Sequence, residues 1–545
     1  MEPPGQSSGE VVVAPPRTTV RTGVHVSTPA APALPAYPDK IDGPVLKIAG
    51  VVVLGAIMSI LDITVVNIAL PTFQTVFAES PGQALAYSTV AWTVTAYTLA
   101  LATVIPLTGW AADRFGTKRL YILAVVLFTC GSALCATAGS IGMLIAFRVL
   151  QGLGGGMLMP LGMTIMTRAA GPARMGRLMA ILGVPMLLGP IFGPILGGWL
   201  IQVASWHWIF LINVPIGVAA ALYAWWALPS DAPEPSESLD VVGMLLMSPG
   251  LALFLYGISS IPGEGTVLSK KVLIPLGIGV VMIVGFVFYS FRPKHPLLDL
   301  RLFRNRRLST ATITMFLFAA AFFGGLLLVP TYYQQVRGLD TLQAAFLMVP
   351  QGLGAMVTMP IAGALSDRIP VGRIVPFGLV LMTGGMFALT QVGTDTPYWG
   401  FMIPVLFVMG LGMGGTMMPL MTSALKTLRS HQVARGSTLL NISQQIASSV
   451  GVAVISVVFT NYLSASALAG PAIAALHNPS LVNSVGGQVA VQKGLTEAAD
   501  AFGSTFLVAA VLLAFALIPA AFLPRRHEES HFLDDQSQTA PAIIH

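Results

Sequence analysis

Apolar runs of about 20 residues recur along the chain, separated by short polar stretches that carry most of its charge. Runs of that length match the hydrocarbon thickness of a bilayer, so they predict membrane-spanning helices. A window of about 19 residues gives fourteen of them, at 47–70, 88–108, 120–138, 141–165, 178–200, 207–228, 240–261, 272–291, 310–332, 342–365, 374–392, 398–421, 437–460 and 504–523. The expected fold is an all-α polytopic membrane protein. An even number of spans puts both ends of the chain on one side. Residues 1–45 are rich in Pro, Ser, Thr, Val and Ala without helical periodicity, and they lack the basic start and apolar core of a cleaved signal. Residues 526–545 read the same way, and both segments are expected to be disordered cytoplasmic tails.

The basic residues orient the spans. With the N-terminus inside, the inner segments hold 23 of the 28 Lys and Arg, leaving Lys270, Lys271, Arg337 and Lys493 outside and Arg148 within a span. That skew is what the positive-inside rule requires. The densest group, Arg292, Lys294, Arg301, Arg304, Arg306 and Arg307, falls between the eighth and ninth helices. The expected location is a bacterial cytoplasmic (inner) membrane, crossed many times, with both termini cytoplasmic.

Two motifs repeat. GWAADRFGTKR (109–119) returns loosely as GALSDRIPVGR (363–373), and GLGGGMLMP (152–160) returns as GLGMGGTMMP (410–419). Matching motifs at matching positions suggest duplicated helical bundles with a central site between them. The separation exceeds one six-helix half by about two helices. The expected domains are therefore a first bundle at 46–228, two inserted helices with a basic linker at 229–309, and a second bundle at 310–525.

Composition narrows the chemistry. The chain is 55% hydrophobic and only 9% charged, where soluble domains carry roughly a quarter charged residues. The net charge of +6 is accounted for by the inner loops, so no nucleic-acid partner is expected. Cys130 and Cys135 share one apolar run, the eight histidines are scattered, and there is no HExxH or CxxC. No metal, disulfide framework or other cofactor is expected. No GxxxxGK[ST] is present, which argues against an ATP-driven motor.

One acid stands out. Of the 22 Asp and Glu only Asp62, in LDITVVNIALP (61–71), lies deep in a span, and of the Lys and Arg only Arg148 does. An ionisable group at that depth costs about 2.5–3.5 kcal/mol on insertion scales unless it meets a partner or a cavity. Asp62 is about nine residues, roughly 14 Å, from the outer end of its helix, and Arg148 about seven, roughly 10 Å. The two can sit at one height and pair. Such a pair either fixes helix packing or exchanges a proton, since burial favours the neutral acid and a neighbouring cation favours the carboxylate.

Other candidates follow from shared helix faces. Arg148, Gln151, Gly152 and Gly155 form one stripe, either a close glycine contact or a wet lining. Gly189, Gly193 and Gly197 stand four apart, broken by Pro185, Pro190 and Pro194, as tight helix packing requires; a hinge or leak-blocking role would come in addition. Asn441, Gln444, Gln445 and Ser448 share a face that either packs through hydrogen bonds or lines a cavity. Asn67 and Gln351 are further candidates for substrate contact. Tyr332, Tyr333, Gln334 and Gln335 read as an interfacial aromatic belt. Asp113, Arg114, Lys118 and Arg119, with Asp367 and Arg368 in the repeat, read either as a positive-inside stop or as a charge lock that opens and closes.

These stretches resemble the major facilitator superfamily. LDITVVNIALP resembles the helix-1 signature of its fourteen-span drug:proton antiporter branch. GWAADRFGTKR resembles the loop between helices 2 and 3, FRVLQGLGGGMLMP the helix-4 motif, and GPIFGPILGGW the helix-5 antiporter motif. WHWIFLINVPIG (206–217) and VPTYYQQVRG (329–338) are also similar to stretches of this branch, although His207 stands where the branch usually has Arg. The resemblance covers about residues 46–525. It implies two pseudo-symmetric six-helix bundles plus two extra central helices, a central cavity and alternating access. It further implies Asp62 and Arg148 as a proton-coupling pair, and Gly189, Pro190, Gly193, Pro194, Gly197 and Gly198 as the antiporter element. The expected function is proton-driven export of a small amphipathic compound, a secondary active transporter and not an enzyme. Export of an endogenous lipid, siderophore or metabolite is the alternative, followed by a non-transporting scaffold or sensor.

Overall fold

Among the described residues there is no β-strand, as expected where lipid offers backbone groups no hydrogen-bond partner. The computed structural model describes residues 42–525 except 79–84, 86, 171–173, 231–237, 265–266, 294–295, 427, 429–431 and 478. The two expected tails therefore lie outside the described residues, apart from 42–45, where the first helix has already begun.

The first half contains α1 (Gly43–Val76), α2 (Tyr87–Phe115), α3 (Thr117–Ala136), α4 (Ile141–Ala170), α5 (Met175–Val203), the single turn α6 (Trp208–Leu211) and α7 (Asn213–Ala227). Two helices follow, α8 (Val241–Glu264) and α9 (Lys270–Ser290). The second half contains α10 (Arg306–Gln335), α11 (Thr341–Leu347), α12 (Val349–Ser366), α13 (Val371–Ala388), α14 (Ile403–Lys426) and α15 (Val433–Ser464). It closes with the short α16 (Ala469–His477) and α17 (Val482–Val485), then α18 (Gln488–Phe515) and α19 (Leu517–Ala520). Prolines explain three interruptions. Pro215, Pro350 and Pro519 cannot donate to the carbonyl four residues earlier, and the chain breaks at α6–α7, α11–α12 and α18–α19.

Thirteen of these helical stretches are long and apolar enough to cross a membrane. The expected segment 178–200 is not among them. It falls in α5, a continuous helix of 29 residues, several of whose side chains lie outside the described residues. The last span begins well before the expected 504, because α18 starts at Gln488. Lys493, Glu497 and Asp500 lower the hydropathy there and hide the helix from a sliding window. At about 50 Å for the 33 residues Gln488–Ala520, the stretch overshoots a hydrocarbon core of about 30 Å. The surplus is covered by the start of α16, where Ala472 and the preceding Leu468 lie against Gly494.

The halves meet along two seams, α5 against α12 and α14, and α15 against α2 and α4. The α8–α9 hairpin leans on α2 and α15. Its anchor is buried Asp240, which accepts from the Gly243 N–H at 2.8 Å, the Tyr289 hydroxyl at 3.0 Å and the Leu297 N–H at 3.1 Å. The expected aromatic belt at Tyr332 and Tyr333 is corrected: both are buried. Tyr332 donates to the Gly393 carbonyl at 2.6 Å and meets Phe502 edge-on. Trp92, Trp199, Trp208, Trp225, Trp226 and Trp399 are the exposed indole rings among the described residues, as interfacial anchors would be.

Candidate functional site

Asp62 sits on the inward face of α1 with its side chain fully buried, as is that of Arg148 on α4. The Arg148 Nη1 donates to Asp62 Oδ2 at 2.5 Å. Gln151, one turn further along α4, bridges the pair: its Nε2 donates to Asp62 Oδ1 and its Oε1 accepts from Arg148 Nη1, both at 2.8 Å. The Asn213 Nδ2 reaches Asp62 Oδ1 at 3.3 Å and the Ser132 Oγ at 3.1 Å, and Ser132 donates to the Phe210 carbonyl at 2.9 Å. Arg148 Nε donates to the Thr93 carbonyl at 3.1 Å, and the Tyr97 ring lies 4.1 Å from the guanidinium carbon. Five helices thus contribute to one buried cluster, of which α4 and α7 hydrogen-bond the carboxylate itself. Removing one member of such a pair strands a buried charge at a cost of roughly 3–5 kcal/mol.

A cavity of about 260 Å³ lies beside this cluster, between the halves. One wall is α1 and α4, with Ser59, Ile60, Ile63, Gly155, Met159, Pro160 and Met163; Leu101 and Ile105 of α2 and Phe323 of α10 add to it. The facing wall is the α15 stripe of Asn441, Gln444, Gln445 and Ser448. None of the lining side chains is ionisable. Toward α15's N-terminus the walls join: Thr164 and Ser437 hydroxyls share a hydrogen bond at 2.9 Å, and Ser437 donates to the Pro160 carbonyl at 3.2 Å. Asp62 is not in the lining. Ser59, one turn before it, is, and its hydroxyl shares a 3.3 Å hydrogen bond with that of Tyr97.

At the basic end of the bundle two aspartates bind across the seams. Asp113 meets Arg168 of its own half and Arg435 of the other, each at 3.7 Å. Asp367 meets Lys426 of its own half at 3.1 Å, then Arg177 at 3.3 Å and the Gly176 N–H at 2.9 Å across the seam. The second contact is a carboxylate at a helix N-terminus, where the macrodipole favours it.

The other expected residues distribute as follows. Gln151 belongs to the ion-pair cluster, not the cavity lining. Asn67 is exposed and outside the lining, and Gln351 is buried with its backbone against Gly410. Lys118 donates to the Leu228 carbonyl at 2.6 Å, closing the end of α7 within its own half. Arg119 and Arg368 are exposed and Arg114 partly so; the cations on the two aspartates are Arg168, Arg435, Lys426 and Arg177 instead. Gly189, Gly193 and Gly197 press on Ile60, Thr64 and Val65, so α5 braces the stretch of α1 that carries Asp62. Gly198 faces open space. The side chains of Pro190 and Pro194 lie outside the described residues. Tyr97, Thr93, Ser132, Cys135 and Asn213 were not anticipated. Asn213 does lie in the WHWIFLINVPIG stretch; for the other four the one sequence signal is a small polar or aromatic residue in an apolar run, which membrane helices tolerate widely.

The chain matches the Major Facilitator Superfamily over residues 52–452. It is 45% identical over 511 residues to a multidrug resistance protein B homolog of Mycobacterium tuberculosis, covering 91% of this chain and 93% of that one. It is 32% identical over 404 residues to the multidrug export protein EmrB of Haemophilus influenzae, covering 73% and 77%. The human organic anion transporter MFSD10 shares the fold, with a TM-score of 0.57 at 18% identity, covering 87% of this chain and all of that one. The chain belongs to the major facilitator superfamily and is a multi-pass membrane transporter.

Proposed function

We propose that this transporter exports small amphipathic compounds from the cell in exchange for protons, with Asp62 as the proton carrier. The observation that carries this reading is a buried, multiply hydrogen-bonded acid–base pair one helix turn from a cavity walled by both halves. The names of its relatives, in drug resistance and drug export, support the choice of cargo. The basic end faces the cytoplasm, by the positive-inside rule, so the described conformation, tied at that end, belongs to the outward-facing part of the cycle.

A proton arriving from outside neutralises Asp62 and weakens its hold on Arg148. The halves then rock, the pairs at Asp113 and Asp367 part, and the cavity opens inward. Cargo enters as the proton leaves. An amide-rich wall facing methionines and aliphatic side chains, with no ionisable group, suits neutral amphipaths or cations of spread charge. One proton driven by 100 mV supplies about 2.3 kcal/mol, enough for a concentration ratio near ~50. The test is ethidium accumulation in inverted vesicles energised by a proton gradient. Asp62→Asn is expected to abolish it, and undiminished accumulation by that variant disproves the assignment.

A further inference from the structure

The contacts between the cavity and the ion pair hold one feature that charge pairing does not require. Arg148 Nη2 is buried and has no hydrogen-bond partner among the described residues, yet the Tyr97 ring covers the guanidinium face at 4.1 Å. Tyr97 is itself fully buried, and its hydroxyl is held by Ser59 at 3.3 Å on the cavity wall. Gly155, also in that wall, leaves the hydroxyl its place: a β-carbon there would overlap it. The chain of contacts runs Ser59, Tyr97, Arg148, Asp62, from cavity to carboxylate.

We propose that Tyr97 is a positioning residue: a screen, anchored on the cavity wall through Ser59, that holds Arg148 against Asp62 and shuts the pair off from water in the cavity. This rests on the proton-carrier reading of Asp62. Among the described residues, the other ionisable groups that face the pair are Cys135 of α3 and Tyr97 itself; α7 brings the neutral Asn213 and α5 brings glycines. With the ring in place, Arg148 has no route to cavity water and keeps Asp62. With Ser59 taken by a polar group of the cargo, the ring is free to turn. Nη2 then gains a water, Arg148 slackens, and a proton passes between the carboxyl oxygen and water. Cargo and proton would thus communicate through one side chain that touches neither reacting oxygen.

The test needs no cargo. Full-length protein in liposomes is treated with a hydrophobic carbodiimide, which labels accessible protonated carboxyls, and Asp62 labelling is followed by mass spectrometry. A parallel measurement follows proton leak under an imposed pH gradient. Tyr97→Leu is expected to raise both at least fivefold over wild type. Tyr97→Phe and Ser59→Ala, which keep the ring and lose the anchor, are expected at intermediate rates. Gly155→Ala, which displaces the ring while keeping every side chain of the pair, is expected to behave like Tyr97→Leu. Asp62→Asn in the Tyr97→Leu background is expected to return the leak to the wild-type level. Labelling and leak within twofold of wild type in both Tyr97→Leu and Gly155→Ala, with wild-type melting, overturn the proposal. Labelling reports the screen even where Asp62→Asn still accumulates ethidium, so the two readings fail separately.

Discussion

Gly176 at the start of α5 and Gly363 near the end of α12 meet backbone to backbone, one from each half. A β-carbon on Gly363 would lie 2.5 Å from the Gly176 carbonyl oxygen, and one on Gly176 would overlap the Gly363 carbonyl. Backbone cannot yield as a flexible side chain does, so this seam closes only with glycine at both places. Gly176→Ala is expected to hold the basic ends apart and to lower transport at least tenfold. Spin-label distances between the basic ends of α5 and α12 check it; wild-type distances with full transport refute it.

The two aspartates at that end should share the work of closure. Both carboxylates are largely buried, but each has a cation of its own half. Closure therefore gains only the contacts across the seam, Arg435 for Asp113 and Arg177 with the Gly176 N–H for Asp367, worth roughly 1 kcal/mol at each aspartate. Asp113→Asn or Asp367→Asn alone is expected to shift the opening equilibrium by no more than about fivefold, and the double variant by the product of the two. The same spin-label distances give the populations.

The central pair predicts an asymmetry in stability. Arg148→Met leaves a buried carboxylate unpaired and is expected to cost about 3–5 kcal/mol. Adding Asp62→Asn removes the stranded charge and should recover most of that loss. Unfolding in detergent measures both; a double variant less stable than Arg148→Met would contradict a direct pair.

The amide wall predicts a change of cargo without a change of coupling. Gln444→Leu and Gln445→Leu remove hydrogen-bonding groups from the cavity and leave the Asp62 cluster untouched. Export of compounds with polar groups is expected to fall several-fold and that of wholly apolar ones to persist, at an unchanged proton-to-cargo ratio. Parallel flux measurements decide it.

A local pH effect is expected where α8 turns into α9. Glu264, beyond the span Val241–Ile261, accepts from the Ser269 hydroxyl at 2.7 Å and Lys271 Nζ at 3.0 Å. These partners hold its carboxyl below the ordinary value of 4.5. A lowered acid stabilises the turn fully above that ordinary value and loses the contribution as pH falls through the lowered one. Ser269 also caps the Lys271 N–H at 3.3 Å. Amide exchange at Lys271 and Val272, corrected for intrinsic rate, should therefore accelerate as the pH falls below 4.5 and stay flat between about 5 and 8.

Much of the architecture was legible because lipid penalises so few things so heavily. An acid in a span must find a partner, which made Asp62 and Arg148 conspicuous, and helical rise placed them at one height. The α15 stripe was visible as polar periodicity, although two roles for it stood open until its opposite wall was known. Asn67 and Gln351 misled because a lone amide reveals neither which way its helix is turned nor what backs it.

By itself the sequence determined most of the apolar spans, the end that collects basic charge, the duplicated motifs and the one acid and base that cannot face lipid. Each is a local property, set by transfer energy and helical period. Only the tertiary structure decided that Tyr97 covers Arg148, that Asn213 reaches Asp62, and that Arg435 and Arg177 answer Asp113 and Asp367. Those partners are uncharged, or are charged among many like neighbours. Their selection depends on the rotation of each helix and on how closely glycines let the halves approach, and both are settled by packing across distant parts of the chain.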